Sequence, residues 1–205
     1  IDDSEREQFV KVHDARIALD ALLAGKELAV TQTKVIGCST KWAGKAEAAK
    51  AYLEKLAAEP VAISKIDEAG LKALRKNGSG KFRLINFWAT WCAPCLVEFH
   101  EFVTMNRMYR HRDIEIITVS MNTPDEEKSV LGFLRKQQAS TTNYIFGSED
   151  RDKLVDAFEP KWQGAAPYTV LIDPDGKVVY EEMGSIDAMT VKRSIVKALN
   201  EKKPW

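Results

Sequence analysis

Cys92 and Cys95 stand two residues apart in the run Asn86 Phe87 Trp88 Ala89 Thr90 Trp91 Cys92 Ala93 Pro94 Cys95, directly behind an apolar segment, 82–88, with the composition of a buried strand. A CxxC pair at a strand-to-helix junction puts one thiol on the first turn of the helix. There, unpaired backbone N–H groups and the helix dipole favour a thiolate. The expected product is a nucleophilic sulfur with a second thiol one turn away.

The cysteine count narrows what this pair can be. Three cysteines in 205 residues are too few for a disulfide framework, and Cys92 with Cys95 leaves Cys38 over. Structural zinc needs four ligands, and no second CxxC or paired histidine supplies them. Haem attachment needs histidine directly after the second cysteine, where Leu96 stands. Two inert buried thiols would leave the flanking tryptophan and the intervening Pro94 without a reason. Redox exchange remains: Cys92 attacks a substrate disulfide, and Cys95 resolves the mixed disulfide. No metal and no cofactor beyond the cysteine pair is expected.

Charge excludes several partners. Thirty basic and thirty acidic residues cancel, and no block of like charge is long enough to bind nucleic acid or a membrane surface. No apolar stretch approaches a membrane span, and the first residues lack a basic and an apolar leader region. Because the chain starts at Ile1 and not at methionine, a leader or upstream domain is expected to precede it in a longer precursor. An apolar content of 45% suffices for one ordinary core plus an appendage.

Ser4 with Glu7 forms a capping-box signal, and Phe9, Val12, Ile17, Leu19, Leu22 and Leu23 give an approximate helical stripe, which together predict a long first helix. A short extended piece around Val35 and Ile36 precedes a second helix over 46–58, stopped by Pro60. Beyond Pro60 strands alternate with helices: strand 61–66, helix 68–75, strand 82–88, helix 93–110, strand 114–120, helix 125–138, strand 143–146 and helix 151–158. Strands 168–172 and 177–181 flank the turn Pro174 Asp175 Gly176 as a hairpin, and helix 188–199 closes the chain. The expected class is α/β, a central mixed sheet flanked by helices, with residues 1–58 as a helical extension and 59–205 as the main domain. The cysteines then lie at the carboxyl end of a central strand, where such sheets carry their sites.

The longer run through Leu96 Val97 Glu98 resembles the thioredoxin superfamily, specifically its extracytoplasmic TlpA-like and ResA-like thiol–disulfide oxidoreductases. The resemblance covers about residues 60–205 in element order, and its WCxPCxxE motif is far more specific than CxxC alone. It implies a thioredoxin-like fold and a protein disulfide oxidoreductase in the bacterial periplasm or envelope, supplied with electrons by a thiol donor. It also implies a cis proline facing the cysteines, for which Pro167, after Ala166, matches in position. In that arrangement Trp91, Ala93, Pro94, Ala166 and Pro167 form the substrate-binding surface, where freed backbone groups pair with an extended peptide. Glu98, three residues after Cys95, is implied as the group that tunes the thiols and carries protons, while a surface glutamate is the plainer alternative.

Other residues carry less. His100 stands where relatives usually have proline, and it, His13 and His111 fit solvated positions. Trp88 is expected to pack inside its strand, and Trp162 to fill the core or line the substrate groove. Gly37 Cys38 Ser39 Thr40 Lys41 Trp42 weakly resembles the end of a redoxin or peroxiredoxin-like domain, in which case residues 1–58 are its tail and Cys38 either exchanges with a missing thiol or is inert. A peroxiredoxin-type thiol peroxidase is the first rival function, but its PxxxTxxC frame is absent: Ala89 occupies the threonine place and no proline stands near Asn86. A redox-linked metal chaperone, the second rival, requires CxxxC spacing and a distal histidine. Because Ala93, Pro94 and Ala166 offer the thiolate no charge or side-chain donor, a reductant is the expected direction.

Overall fold

The computed structural model describes residues 11–31 and 44–202. Contacts divide the chain into two units, Ile1–Tyr52 and Leu53–Trp205. In the first, helix α1 (Asp14–Leu23) begins after Val12, so the expected stripe starts ahead of the helix, and none of its side chains is buried. The capping pair Ser4 and Glu7, Phe9, the piece at Val35 and Ile36, and Cys38 with its neighbours through Trp42 lie outside the described residues. Helix α2 (Gly44–Ala57) starts in the first unit and ends in the second.

In chain order the second unit continues as β1 (Ser64–Ile66), α3 (Glu68–Lys76), β2 (Phe82–Trp88), α4 (Ala93–Tyr109) and β3 (Ile114–Ser120). A 3-10 turn (Pro124–Glu126) runs into α5 (Glu127–Lys136), followed by β4 (Thr142–Phe146), α6 (Arg151–Phe158), β5 (Tyr168–Ile172), β6 (Val178–Met183) and α7 (Ala188–Lys202). The strands form one six-stranded sheet in the order β1-β4-β3-β2-β5-β6. Strand β2 is parallel to β3 and antiparallel to β5, so the sheet is mixed, as expected.

Strand β2 is apolar at nearly every position because both of its faces are covered. Ile85 and Phe87 join Ile117, Val119, Val170 and Ile172 against Leu71 and Leu74 of α3 and Leu154 and Phe158 of α6. Phe82 and Leu84 join Ile114, Ile116 and Leu171 against Phe102 and Met105 of α4 and Val191 and Ile195 of α7. Alternation along β2 therefore sorts side chains between two cores, each stabilised by about 25 cal/mol per Å² of apolar surface removed from water.

Several element limits that differ from expectation have a cause in local hydrogen bonding. The strand expected over 61–66 pairs only from Ser64, because the Ala62 carbonyl accepts instead from Nδ2 of Asn143 at 3.0 Å. The helix expected over 125–138 opens as the 3-10 turn, capped by Thr123, whose N–H donates to Glu126 Oε2 at 3.1 Å. It ends early because Gln138 turns left-handed at φ 53° and Ala139 N–H closes back on the Leu134 carbonyl. Lys177 stays out of β6 because its N–H donates to Asp173 Oδ1 at 2.8 Å across the hairpin turn. Gly176 in that turn has φ +87°, and a Cβ there would lie 2.6 Å from the Lys76 carbonyl oxygen, so only glycine lets the hairpin close on α3.

Glu59 ties the start of the second unit to its middle. Its Oε2 accepts from Arg110 Nη2 at 2.8 Å and from Ser140 Oγ at 2.6 Å. The bonds from Arg110 and Ser140 hold its carboxyl down at about 2, against 4.5 for an ordinary glutamate. A depressed carboxyl adds stability above its unfolded pKa and loses it as pH falls through the folded one. Glu59→Gln is expected to cost about 1 kcal/mol at pH 7. In urea melts between pH 7 and pH 2 the wild-type advantage should shrink below pH 4.5 and vanish near pH 2; an unchanged difference across that range would refute the assignment.

Candidate active site

The apolar strand β2 ends at Trp88, and four residues later Cys92 becomes the N-cap of α4, with extended dihedrals of φ −93° and ψ 95°. The turn between them closes by Cys92 N–H donating to the Ala89 carbonyl at 3.1 Å. Ala93 and Pro94 occupy the first helical positions, where a missing N–H costs nothing. Pro94 removes one first-turn donor, and the Cys92 side chain makes no cap hydrogen bond. Cys92 and Cys95 are joined as a disulfide, with Cα atoms 5.3 Å apart. Both residues are buried, while Trp91, Ala93, Pro94 and Val97 around them are exposed.

Asn122 at the end of β3 holds the loop that carries Cys92, and sequence reading missed it. Its Oδ1 accepts from Thr90 N–H at 2.9 Å and its Nδ2 donates to Thr90 Oγ1 at 2.7 Å. Ser120 Oγ donates to the same Oδ1 at 2.8 Å, and Met121 N–H donates to the Trp88 carbonyl at 2.8 Å. Asn122 also bonds Glu126 and, with the Thr123 N–H, lowers the carboxyl of that residue. Asn122 is fully buried. A polar Ser120 and Asn122 at the carboxyl end of an apolar strand beside the cysteine strand is the pattern that points to such a clamp.

Glu98 is not the surface residue of the plainer reading. It is 8% exposed on α4, one turn beyond Cys95. Its Oε2 accepts from Ile186 N–H at 2.9 Å, and its Oε1 is buried without a hydrogen-bond partner among the described residues. Burial pushes its carboxyl up, only partly offset by the bond from Ile186. The protonated form is thus favoured more than in an exposed glutamate.

Pro167 is buried and follows Ala166 through a cis peptide bond. Tyr168 pairs with Phe87 in the antiparallel β2–β5 ladder, which sets Pro167 at the end of the sheet where β2 delivers the cysteines. The carbonyl of Pro167 accepts from Gly184 N–H at 2.8 Å. Ala166 is half-buried against the same core as Cys92 and Cys95. Trp162, expected either in the core or in the groove, is core: it is 2% exposed and stacks on Tyr168 at 4.7 Å. Its Nε1 donates to the Ala165 carbonyl at 2.8 Å, which braces the loop ahead of Pro167. Trp88 is buried against Phe99 and Phe133, and His100, His13 and His111 are exposed. Trp91 is 51% exposed and carries Arg151 over its ring, a second residue that sequence reading missed.

Among the described residues no group of three or more His, Cys, Asp or Glu side chains could hold a metal ion, and no helix is long and apolar enough to cross a membrane.

Comparison with known proteins agrees with this geometry. The profile of the AhpC/TSA family matches residues 64–181. Thiol-disulfide oxidoreductase ResA of Bacillus subtilis is 29% identical over 107 residues, 52% of this chain and 55% of its own length. Thiol:disulfide interchange protein HelX of Rhodobacter capsulatus is 31% identical over 159 residues, 76% of each chain. This chain thus spans little more than half of that ResA. The crystal structure of a thiol:disulfide interchange protein of the thioredoxin family from Chlorobium tepidum superposes with a TM-score of 0.51 at 24% identity, covering 62% of this chain and 84% of that one. The fold is therefore thioredoxin-like.

Truncating Asn122 tests the clamp. Asn122→Ala leaves the Thr90 N–H and the Ser120 hydroxyl without their acceptor and should cost about 2 kcal/mol in a denaturant melt. Hydrogen exchange at the Thr90 amide is expected to accelerate by more than that of Ile117 in mid-strand; equal acceleration at both sites would mean that Asn122 supports the fold without holding the loop.

Proposed function

We propose that this chain, which belongs to the AhpC/TSA family, is a thiol–disulfide oxidoreductase that exchanges disulfides with protein substrates through Cys92 and Cys95. The observation that carries the reading is the paired cysteine at the N-cap of α4, at the carboxyl end of the central strand. In the reduced protein the Cys92 thiolate attacks one sulfur of a substrate disulfide, forming a mixed disulfide and releasing one substrate thiolate. The Cys95 thiolate then attacks the Cys92 sulfur. The substrate leaves with both thiols, having gained two electrons, and the Cys92–Cys95 disulfide is formed. A second thiol protein returns the electrons by the reverse exchange.

Cys92 acts as the attacker because its N-cap position sets it at the positive end of the helix dipole, beside the orphan first-turn donors. Cys95, at 1% exposure, resolves. Resolution requires Cys95 to lose a proton, and Glu98, one turn on with its carboxyl raised by burial, receives it. Trp91, Ala93, Pro94, Ala166 and Pro167 form the surface against which an extended substrate segment lies. Residues 59–205 form the domain that does this, supported by the family match over 64–181. We assign the protein a bacterial periplasmic or envelope location and the role of reductant, on the strength of the WCAPCLVE motif and the uncharged Ala93–Pro94 dipeptide. A thiol peroxidase is the competing activity within the family, disfavoured by the buried Ala89 where that chemistry needs a threonine hydroxyl.

Insulin reduction with dithiothreitol, run beside peroxide consumption, separates the two. The wild type should accelerate insulin precipitation, Cys92→Ser should abolish the effect, and Cys95→Ser should accumulate a mixed disulfide visible on a non-reducing gel. Peroxide consumption without insulin reduction would establish the peroxidase, and failure in both, with Cys92→Ser indistinguishable from the wild type, would sink the enzyme reading. An equilibrium titration of the pair against glutathione fixes the direction.

Glu98→Gln separates proton transfer from structural support. Between the unfolded and the raised folded pKa the native state binds more protons than the unfolded one, so wild-type stability falls as pH rises through that window. The glutamine variant is expected to lack this decline and to be at least as stable at pH 8, yet to resolve the mixed disulfide at least about tenfold more slowly. Unaltered resolution kinetics would remove Glu98 from the mechanism.

A further inference from the structure

We infer that Arg151 and Trp91 form a recognition lip that favours substrate disulfides flanked by acidic side chains, an inference that rests on the exchange chemistry proposed above. The Arg151 guanidinium carbon lies 5.0 Å from the centroid of the Trp91 ring, within cation–π range. Trp91 is 51% exposed and precedes Cys92 directly in the chain, so the stacked charge sits on the flank of the attacking residue. Arg151 opens α6, while Trp91 lies in the loop before α4, so the lip joins two elements at the cysteine-bearing end of the sheet.

Trp91, Ala93, Pro94, Ala166 and Pro167 are neutral, and Val97, 75% exposed on the next turn of α4, is apolar. Among the described residues Arg151 makes no ion pair. Its neighbour Asp150 is committed elsewhere, accepting from Lys153 N–H at 3.3 Å and pairing with Lys153 Nζ at 2.9 Å. Glu149 and Asp152 stand on the same turn and offset the long-range field of Arg151. Recognition is therefore a contact effect. A guanidinium held over an indole loses part of its freedom, and its fork of donors can receive a carboxylate in two parallel hydrogen bonds. A substrate segment approaching Cys92 across Trp91 meets this fork first, and a lysine or arginine at that place meets a like charge instead.

The test uses the full chain, reduced and freed of reductant, mixed with three synthetic disulfide peptides that differ only in having aspartate, serine or lysine beside the cysteines. Second-order rate constants are followed by thiol release. Wild type should favour the aspartate peptide over the lysine peptide by about fourfold at low salt, with the ratio falling towards one at high salt. Arg151→Gln should abolish the preference and Arg151→Glu should invert it. The inference is overturned if the wild type shows no preference, or if Arg151→Glu changes all three rates by the same factor, the mark of an effect on Cys92 itself. Failure of the wild type to reduce any of the peptides overturns the oxidoreductase reading and the lip with it.

Discussion

Strand β2 is hydrogen-bonded on both edges and packed on both faces, and the position of everything at the site depends on it. Its parallel ladder with β3 runs over all seven residues, from Phe82 opposite Ile114 to Trp88 opposite Ser120. Its antiparallel ladder with β5 pairs Arg83 with Ile172 and Phe87 with Tyr168. A slip of one residue would turn Ile85 and Phe87 towards the wrong helix layer, so the register is fixed by burial as well as by hydrogen bonds. With register fixed, three chain segments must converge at one end of the sheet: the loop 89–92, the residues after Ser120, and Pro167 ahead of β5.

A row of polar side chains crosses this sheet on the face covered by α4. Thr169, Asn86, Thr118 and Asn143 are neighbours across four strands, and all are at most 4% exposed. Asn86 Nδ2 donates to Thr169 Oγ1 at 3.0 Å and Thr118 Oγ1 donates to Asn143 Oδ1 at 2.8 Å. Unpaired, such groups would each cost about 1–3 kcal/mol, and paired they contribute little net stability but a single arrangement. Asn122 and Ser120 continue the same logic one step further along the strands, where their partner is the cysteine loop. The polar groups thus set position, while the two apolar layers supply most of the free energy.

The sequence made legible those features that are local in the chain. Strands β2, β3 and β5 and helix α6 have the limits expected, because each is an apolar or amphipathic run bounded by its own turn and capping signals. The cysteines and Pro167 were legible as motif and resemblance. What escaped was non-local: Asn122 meets Thr90 across 32 residues of sequence, and Ile186 meets Glu98 across 88. Neither contact leaves a spacing that a single sequence displays. The backbone of Ala62 changed an element limit for the same reason, since it depends on Asn143, whereas the helix end at Gln138 was set locally by a left-handed turn that no glycine or asparagine signalled.

Two charges near the cysteine pair are managed in opposite ways, and the contrast follows from burial. Glu98 is buried on α4 with one oxygen hydrogen-bonded and the other bare among the described residues, so its ionisation is penalised and its carboxyl is raised. Arg151 is exposed, with its guanidinium against the Trp91 ring. In the proposed exchange a buried acid suits a proton that must move within the site, because a low-dielectric surround makes its energy sensitive to nearby charge. An exposed guanidinium suits a partner that arrives and leaves, because its field is screened beyond about 8–10 Å and acts only on what touches it. In the proposed mechanism, a proton-handling group inside and a charged contact outside separate the exchange chemistry from the salt-dependent encounter.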